Sequence, residues 1–177
     1  ASSDASALVY PDVELYPSNI PRGVGDWLSE EIQSFDHPFP SDQYVPHSIV
    51  DVFPEIENAL QVEPGEDVEP GKETIMVEIP APSGTDFPAY VSIARGDAHS
   101  AMSNRWYCAW VDEYLSAGEA SDSTRTAQAL DFLESSQTVE ATQGPSLNFA
   151  VEHEDIYNSL IEGDTEQAHA FVKACER

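Results

Sequence analysis

The chain has 177 residues, with 33 Asp and Glu against 7 Lys and Arg, for a formal net charge of −26. That balance argues against nucleic-acid binding, because gripping a phosphate backbone takes clustered Lys and Arg, and Arg22, Arg95, Arg105, Arg125 and Arg177 are scattered. It disfavours anionic membrane surfaces for the same reason, and no apolar run approaches the ~20 residues of a membrane span.

The length fits one domain, in which roughly 70% of the unfolded chain's surface becomes buried. Hydrophobic residues make up 41% and there are 3 Trp, 7 Tyr and 7 Phe, too many aromatics for a disordered acidic chain. The acids recur along the whole sequence, and Lys72 and Lys173 are the only lysines. A disordered acidic tail would gather its carboxylates into one block. A nucleic-acid mimic would set them in phosphate-like rows on one face. Adaptation to molar salt fits best: at about 1 M the Debye length is only about 3 Å, so a uniformly acidic surface is tolerated. Lysine depletion with evenly spread acids resembles haloarchaeal proteins in general, which bears on environment and not on family.

In chain order, residues 1–22 read as an extended arm. Val9-Tyr10-Pro11 and Leu15-Tyr16-Pro17 repeat an apolar-aromatic-proline pattern. Proline fixes φ and lacks an amide donor, so the arm is neither helix nor central strand. Val9, Tyr10, Leu15 and Tyr16 still need burial, within this chain or against a neighbour. The rest, 23–177, reads as one α+β domain. Gly23 to Phe35 has Trp27, Leu28, Ile32 and Phe35 at helical spacing, with Asp26 as its cap. A connection over 36–72 holds six prolines, Pro38, Pro40, Pro46, Pro54, Pro64 and Pro70. Within it, Ser48 to Leu60 suits one or two helical turns, and Glu63 to Lys72 reads as a loop.

The most apolar stretch lies between Glu73 and Leu115. Ile75, Val77 and Ile79 alternate with Thr74, Met76 and Glu78, and Phe87, Ala89, Val91 and Ile93 alternate with Tyr90 and Ser92. Two such runs around a Pro/Gly break predict an antiparallel hairpin over about 73–95. Over 98–115, Met102, Trp106, Trp110 and Tyr114 recur every four residues, which predicts a helix stopped by Gly118; the run Trp106-Tyr107-Cys108 favours a strand instead. A helix over 121–136 would turn Ala127, Leu130 and Leu133 inward. Leu147, Phe149 and Val151 alternate and predict a third strand over about 146–152. The tail reads as helix from Glu154 to Ile161, a break at Gly163, and helix from Thr165 to Cys175 with Asp164 as cap. The expected fold is therefore α+β: a small antiparallel sheet packed by several helices, behind a proline-rich N-terminal region.

Each cluster with chemical potential has a plainer reading. His153 with Glu152, Glu154 and Asp155 is the most metal-like group, but on a strand His153 would face away from Glu152 and Glu154. A solvated strand end is expected there. Asp97-Ala98-His99-Ser100 combines acid, imidazole and hydroxyl, yet a catalytic triad is assembled by the fold and needs an oxyanion hole. Asp97 or Ser100 reads better as a helix cap. Arg95-Gly96-Asp97 matches the integrin-ligand tripeptide, and a turn after a strand explains it.

Cys108 sits among aromatics and reads as a buried thiol. A single bridge to Cys175 is the alternative, and would pin the C-terminus to the core. A thiolate nucleophile at Cys108, with His99 nearby, is disfavoured by aromatic neighbours and a negative field. Pro82-Ser83-Gly84-Thr85 lacks the spacing and lysine of a phosphate loop. Trp106 and Trp110 could stack a ligand, but at helical spacing they read as core.

No catalytic, metal or cofactor site is expected. The functional expectation is a non-enzymatic structural or interaction subunit of a larger assembly in a salt-adapted, haloarchaeal setting. A virion connector, tail or decoration protein fits that class, with Val9, Tyr10, Leu15 and Tyr16 as the contact residues and an oligomer or protein complex as the working form. Salt-rich cytoplasm, cell surface and virion are all compatible settings. The alternatives are a small enzyme or ligand-binding domain with a site near His99, Arg95 and Trp106, and an acidic nucleic-acid mimic.

Overall fold

The computed structural model describes residues 22–65, 72–81, 83–135 and 147–176. Val9, Tyr10, Leu15 and Tyr16 lie outside them. The described residues form an α+β fold with helices and a three-stranded antiparallel sheet. The chain divides into two compact units, Ala1–Phe35 with Pro46–Ala98, and Asp36–Val45 with His99–Arg177.

The first unit opens with α1 (Arg22–Gln33). Trp27, Leu28 and Ile32 are buried along one face, as their spacing requires. Asp26 is exposed inside the helix and does not cap it. A short α2 (Ile49–Val52) follows, and its start is a capping box: the Ser48 side chain accepts from the Asp51 amide and the Asp51 carboxylate accepts from the Ser48 amide. Pro54 then begins a single 3-10 turn, Pro54–Ile56, where a proline at the first position loses no hydrogen bond.

The sheet runs β1 (Gln61–Pro64), β2 (Thr74–Ile79) and β3 (Ala89–Ala94) in that spatial order. The β2–β3 hairpin is the expected one, with Ile75 opposite Ile93 and Val77 opposite Val91. The third strand differs from expectation. It is β1, whose Val62 pairs with Val77, and not 146–152, which is helical. β1 hides in the sequence because it is four residues long and buries only Val62. Its Pro64 is tolerated because β1 is an edge strand. Val62, Ile75, Val77 and Ile93 form the buried face of the sheet, and Ile49, Val52 and Ile56 are also buried in this unit. Each such side chain contributes roughly 1.5–3 kcal/mol relative to exposure.

The second unit is helical. The long α3 (Asp97–Glu119) settles the helix-or-strand ambiguity in favour of helix. Met102, Trp106 and Trp110 are buried, and so are Tyr107, Val111 and Leu115 on the neighbouring row. Gly118 does not stop this helix. The stop comes at Ser121, which adopts φ 55, while the Asp122 amide reaches back to the Ala117 carbonyl at 2.9 Å. A left-handed residue with a Cβ is strained, so Ser121→Gly is expected to raise stability by about 0.5–1 kcal/mol in thermal unfolding.

Asp122 also caps α4 (Ser123–Ser135), accepting from the Arg125 amide at 3.1 Å. Ala129 and Leu133 are buried on α4, whereas Ala127 is exposed. α5 (Leu147–Ile161) buries His153, Ile156 and Leu160. It ends at Gly163, φ 84, after which Asp164 accepts from the Glu166 amide at 3.0 Å ahead of α6 (Glu166–Cys175). The break matches the sequence expectation, whereas the N-cap position falls to Thr165, whose side chain makes no capping bond, and Asp164 accepts from its place one residue ahead of Thr165.

Candidate functional site

β3 ends at Ala94, and Arg95-Gly96-Asp97 turns the chain into α3. Gly96 takes φ 95, which a side chain would strain. Its amide donates to Glu31 Oε1 at 2.6 Å, and the Ala94 amide donates to Asp97 Oδ2 at 2.7 Å. Arg95 pairs with Glu73 and lies over the Trp27 ring, 5.2 Å from its centroid. The tripeptide is thus a turn with every member engaged inside the first unit. Asp97 serves that turn and the start of α3.

His99 and Ser100 follow on the first turn of α3 and are half-buried. The Ser103 hydroxyl donates to the His99 carbonyl at 2.9 Å, an ordinary intrahelical back-bond. Of the three residues of the alternative site, Arg95 belongs to the first unit, and His99 and Trp106 to the second.

The tryptophan pair belongs to the core. Trp106 and Trp110 both direct their indole N–H at the Pro38 carbonyl, at 2.7 and 2.9 Å. Phe132 stacks on Trp110 with centroids 4.1 Å apart and meets Trp106 edge-on at 6.3 Å. His37 approaches Trp106 at 5.8 Å. The rings are therefore occupied by the protein's own side chains. This also gives the proline-spaced segment a purpose, since the Pro38 carbonyl satisfies two buried indoles at once.

The arrangement around α5 differs most from expectation. His153 is buried and not at a solvated strand end. Its ring lies flat on Tyr107, centroids 3.7 Å apart and planes 5° apart. The Tyr107 hydroxyl donates to the His153 carbonyl at 2.8 Å. Phe171 of α6 closes the cluster edge-on, 5.7 Å from Tyr107 and 5.9 Å from His153. Burial pushes the His153 imidazole down to about 4, so it stays neutral at pH 7. Burial likewise raises the Tyr107 hydroxyl, helped by Glu152 and Tyr157. Glu152, Glu154 and Asp155 are exposed, on the other side of the helix from His153. Among the described residues no group of three or more His, Cys, Asp or Glu is placed to hold a metal ion.

Cys108, next to Tyr107, is not a free thiol. It is bonded to Cys175 at the end of α6, with the Cα atoms 6.4 Å apart. The bridge corrects the reading of Cys108 as a buried thiol, and it holds α6 where Phe171 meets Tyr107 and His153. Elsewhere in the second unit, Arg125 Nε donates to Glu113 Oε1 at 2.7 Å, and Gln43 donates to Asp112 at 2.7 Å. Of the anion-loop candidate, Ser83, Gly84 and Thr85 are exposed and Gly84 takes φ 88; Pro82 lies outside the described residues.

The surface offers a different kind of feature. In the first unit Leu60 is 62% exposed, Met76 38%, Phe87 79% and Tyr90 60%. Met76 and Tyr90 project from the sheet face opposite Val77 and Ile93. Leu60 and Phe87 lie at the end of the sheet where β2 finishes and β3 begins. No helix among the described residues is long and apolar enough to cross a membrane. No family model matches the sequence, and neither a curated protein nor a solved structure does so.

Proposed function

We propose that the chain is a non-enzymatic structural or interaction subunit of a larger assembly that works in a salt-rich setting. The observation that carries this reading is the exposure of Met76 and Tyr90 on one face of the sheet, and of Leu60 and Phe87 at its end, in a chain with a net charge of −26. Apolar side chains gathered on a carboxylate-rich surface mark a place where another molecule sits. The residues with chemical potential support the same reading: Asp97 and Gly96 hold a turn, the tryptophans and His153 fill a core, and Cys108 holds α6. The arm residues Val9, Tyr10, Leu15 and Tyr16 would add further apolar contact.

The disulfide favours a setting outside a reducing cytoplasm, such as a cell surface or a virion. A virion connector, tail or decoration protein remains the class that best combines these properties. Sedimentation of the full chain above about 1 M KCl, where carboxylate repulsion is screened, is expected to show species larger than the monomer. Met76→Glu combined with Tyr90→Glu is expected to return it to monomer. A single monomeric species at every protein concentration contradicts the reading.

A further inference from the structure

The two edges of the sheet are protected very differently. On β1, the Gly65 amide donates to the Thr74 carbonyl, and the register alternates from there. Val62 and Pro64 therefore face outward. Pro64 offers no N–H, and the neighbouring Gln61 and Glu63 are exposed and polar or charged. Natural edges are guarded in this way against pairing with another strand.

Among the described residues β3 is guarded only at its ends: Pro88 stands just ahead of it, and within the strand there is neither a proline nor a charged side chain. The Arg95 amide donates to the Glu73 carbonyl at 2.9 Å. With Ile93 opposite Ile75 and Val91 opposite Val77, these residues direct their main chain to β2. Tyr90, Ser92 and Ala94 must then direct theirs away from β2. Ala94 does so, since its amide is taken by Asp97. Tyr90 and Ser92 are left aimed past the edge, and both are exposed. From Phe87 to Ala94 the sequence carries no charged side chain, and no proline falls inside the strand.

We infer that β3 is a self-pairing edge: two copies of the chain join antiparallel through it, about a two-fold axis at Val91. Tyr90 of each copy exchanges both main-chain hydrogen bonds with Ser92 of the other, and the sheet continues from one copy into the next. The absence of charge along this edge is what admits a second copy as the occupant. Two chains of charge −26 repel wherever carboxylates face carboxylates, and this strip brings none together. A two-fold axis places the same uncharged strand on both sides, with the exposed Tyr90 ring covering the joint. The inference rests on the assembly reading above and names its partner.

Cysteine at position 91 tests the axis directly. The two Val91 residues would form a non-hydrogen-bonded pair with Cα atoms about 4.5 Å apart, within disulfide range. The native cysteines are bonded to each other, so no other thiol competes. Full-length Val91→Cys is expected to form a covalent dimer under mild oxidation above about 1 M KCl, and Ser83→Cys on the hairpin loop is expected not to. Ser92→Pro removes an outward donor without touching β2 pairing, and is expected to weaken dimerisation by about tenfold or more with an unchanged circular dichroism spectrum. An oligomer that survives Ser92→Pro, with no cross-link at position 91, overturns pairing through β3 and leaves the assembly reading standing. A chain that is monomeric throughout overturns both.

Discussion

Serine in place of Cys175 is expected to lower the unfolding free energy by about 4 kcal/mol, the value for closing a loop of this length in the unfolded chain. The bridge joins residues separated by 67 positions and spans α3 to the last turn of α6. Without it, α6 is held by few buried side chains, Ala168 and Phe171. The loss should therefore begin locally. Amides of α6 should exchange faster than those of α3 in hydrogen exchange, and denaturant midpoints should fall while the slope rises, because the unbridged unfolded chain is less compact. A change below about 1 kcal/mol would mean that the bridge constrains neither the unfolded chain nor α6 as described.

Acid is expected to destabilise the second unit through His153. Its pKa is about 4 in the folded chain against 6.5 for the free side chain. Between those values the unfolded chain binds the proton and the folded chain does not, so stability rises with pH. The contribution is complete above pH 6.5, falls as the pH drops toward 4, and is constant below that. Over the window it amounts to about 3 kcal/mol, since one pKa unit corresponds to about 1.4 kcal/mol. Many carboxylates titrate nearby in pH, so the comparison must be with His153→Phe. That variant keeps a flat ring on Tyr107 and loses the titration. The difference in unfolding free energy between the two proteins should grow as the pH falls from 6.5 to 4; a constant difference would place His153 in contact with solvent.

The parts of the fold that were legible from residues are those with long periodic signals. Met102, Trp106 and Trp110 recur over three turns and specify α3 whatever the strand preference of Trp106 and Tyr107. Ile75, Val77 and Ile93 alternate cleanly and specify the hairpin. The misreadings arose where the signal is short. Leu147, Phe149 and Val151 alternate like a strand, but the helix they begin is recognised by His153, Ile156 and Leu160, whose spacing of three and four puts them on one buried face. Reading His153 with Ile156 instead of with its acidic neighbours would have placed it in the core. β1 offers one buried residue and a proline, which is indistinguishable from loop. The Cys108–Cys175 bridge depends on α6 returning to α3, and that is a property of the fold alone.

The exposed edge of β3 was half legible. Its alternation was visible, but which strand lay beside it was not, so neither edge could be assigned. Once β1 is placed on the far side of β2, the contrast between Pro64 with Glu63 and the uncharged run Phe87 to Ala94 becomes meaningful. On the proposed assembly reading, the same contrast links the charge balance to function. On that reading, another molecule approaches so acidic a surface where it is apolar.

The proposed salt-rich setting requires that the carboxylates be tolerated because salt screens them. With 33 acids and 7 bases, pairs such as Arg125–Glu113 and Arg95–Glu73 neutralise a small share of the charge. At about 0.1 M salt the Debye length is about 10 Å and neighbouring carboxylates repel; at about 1 M it is about 3 Å and they do not. Thermal unfolding of the full chain, followed by circular dichroism across that range of KCl, is the direct test. A midpoint that climbs steeply with salt, with unfolding at the low end, is the predicted result. A chain equally stable, or more stable, at low salt would contradict it.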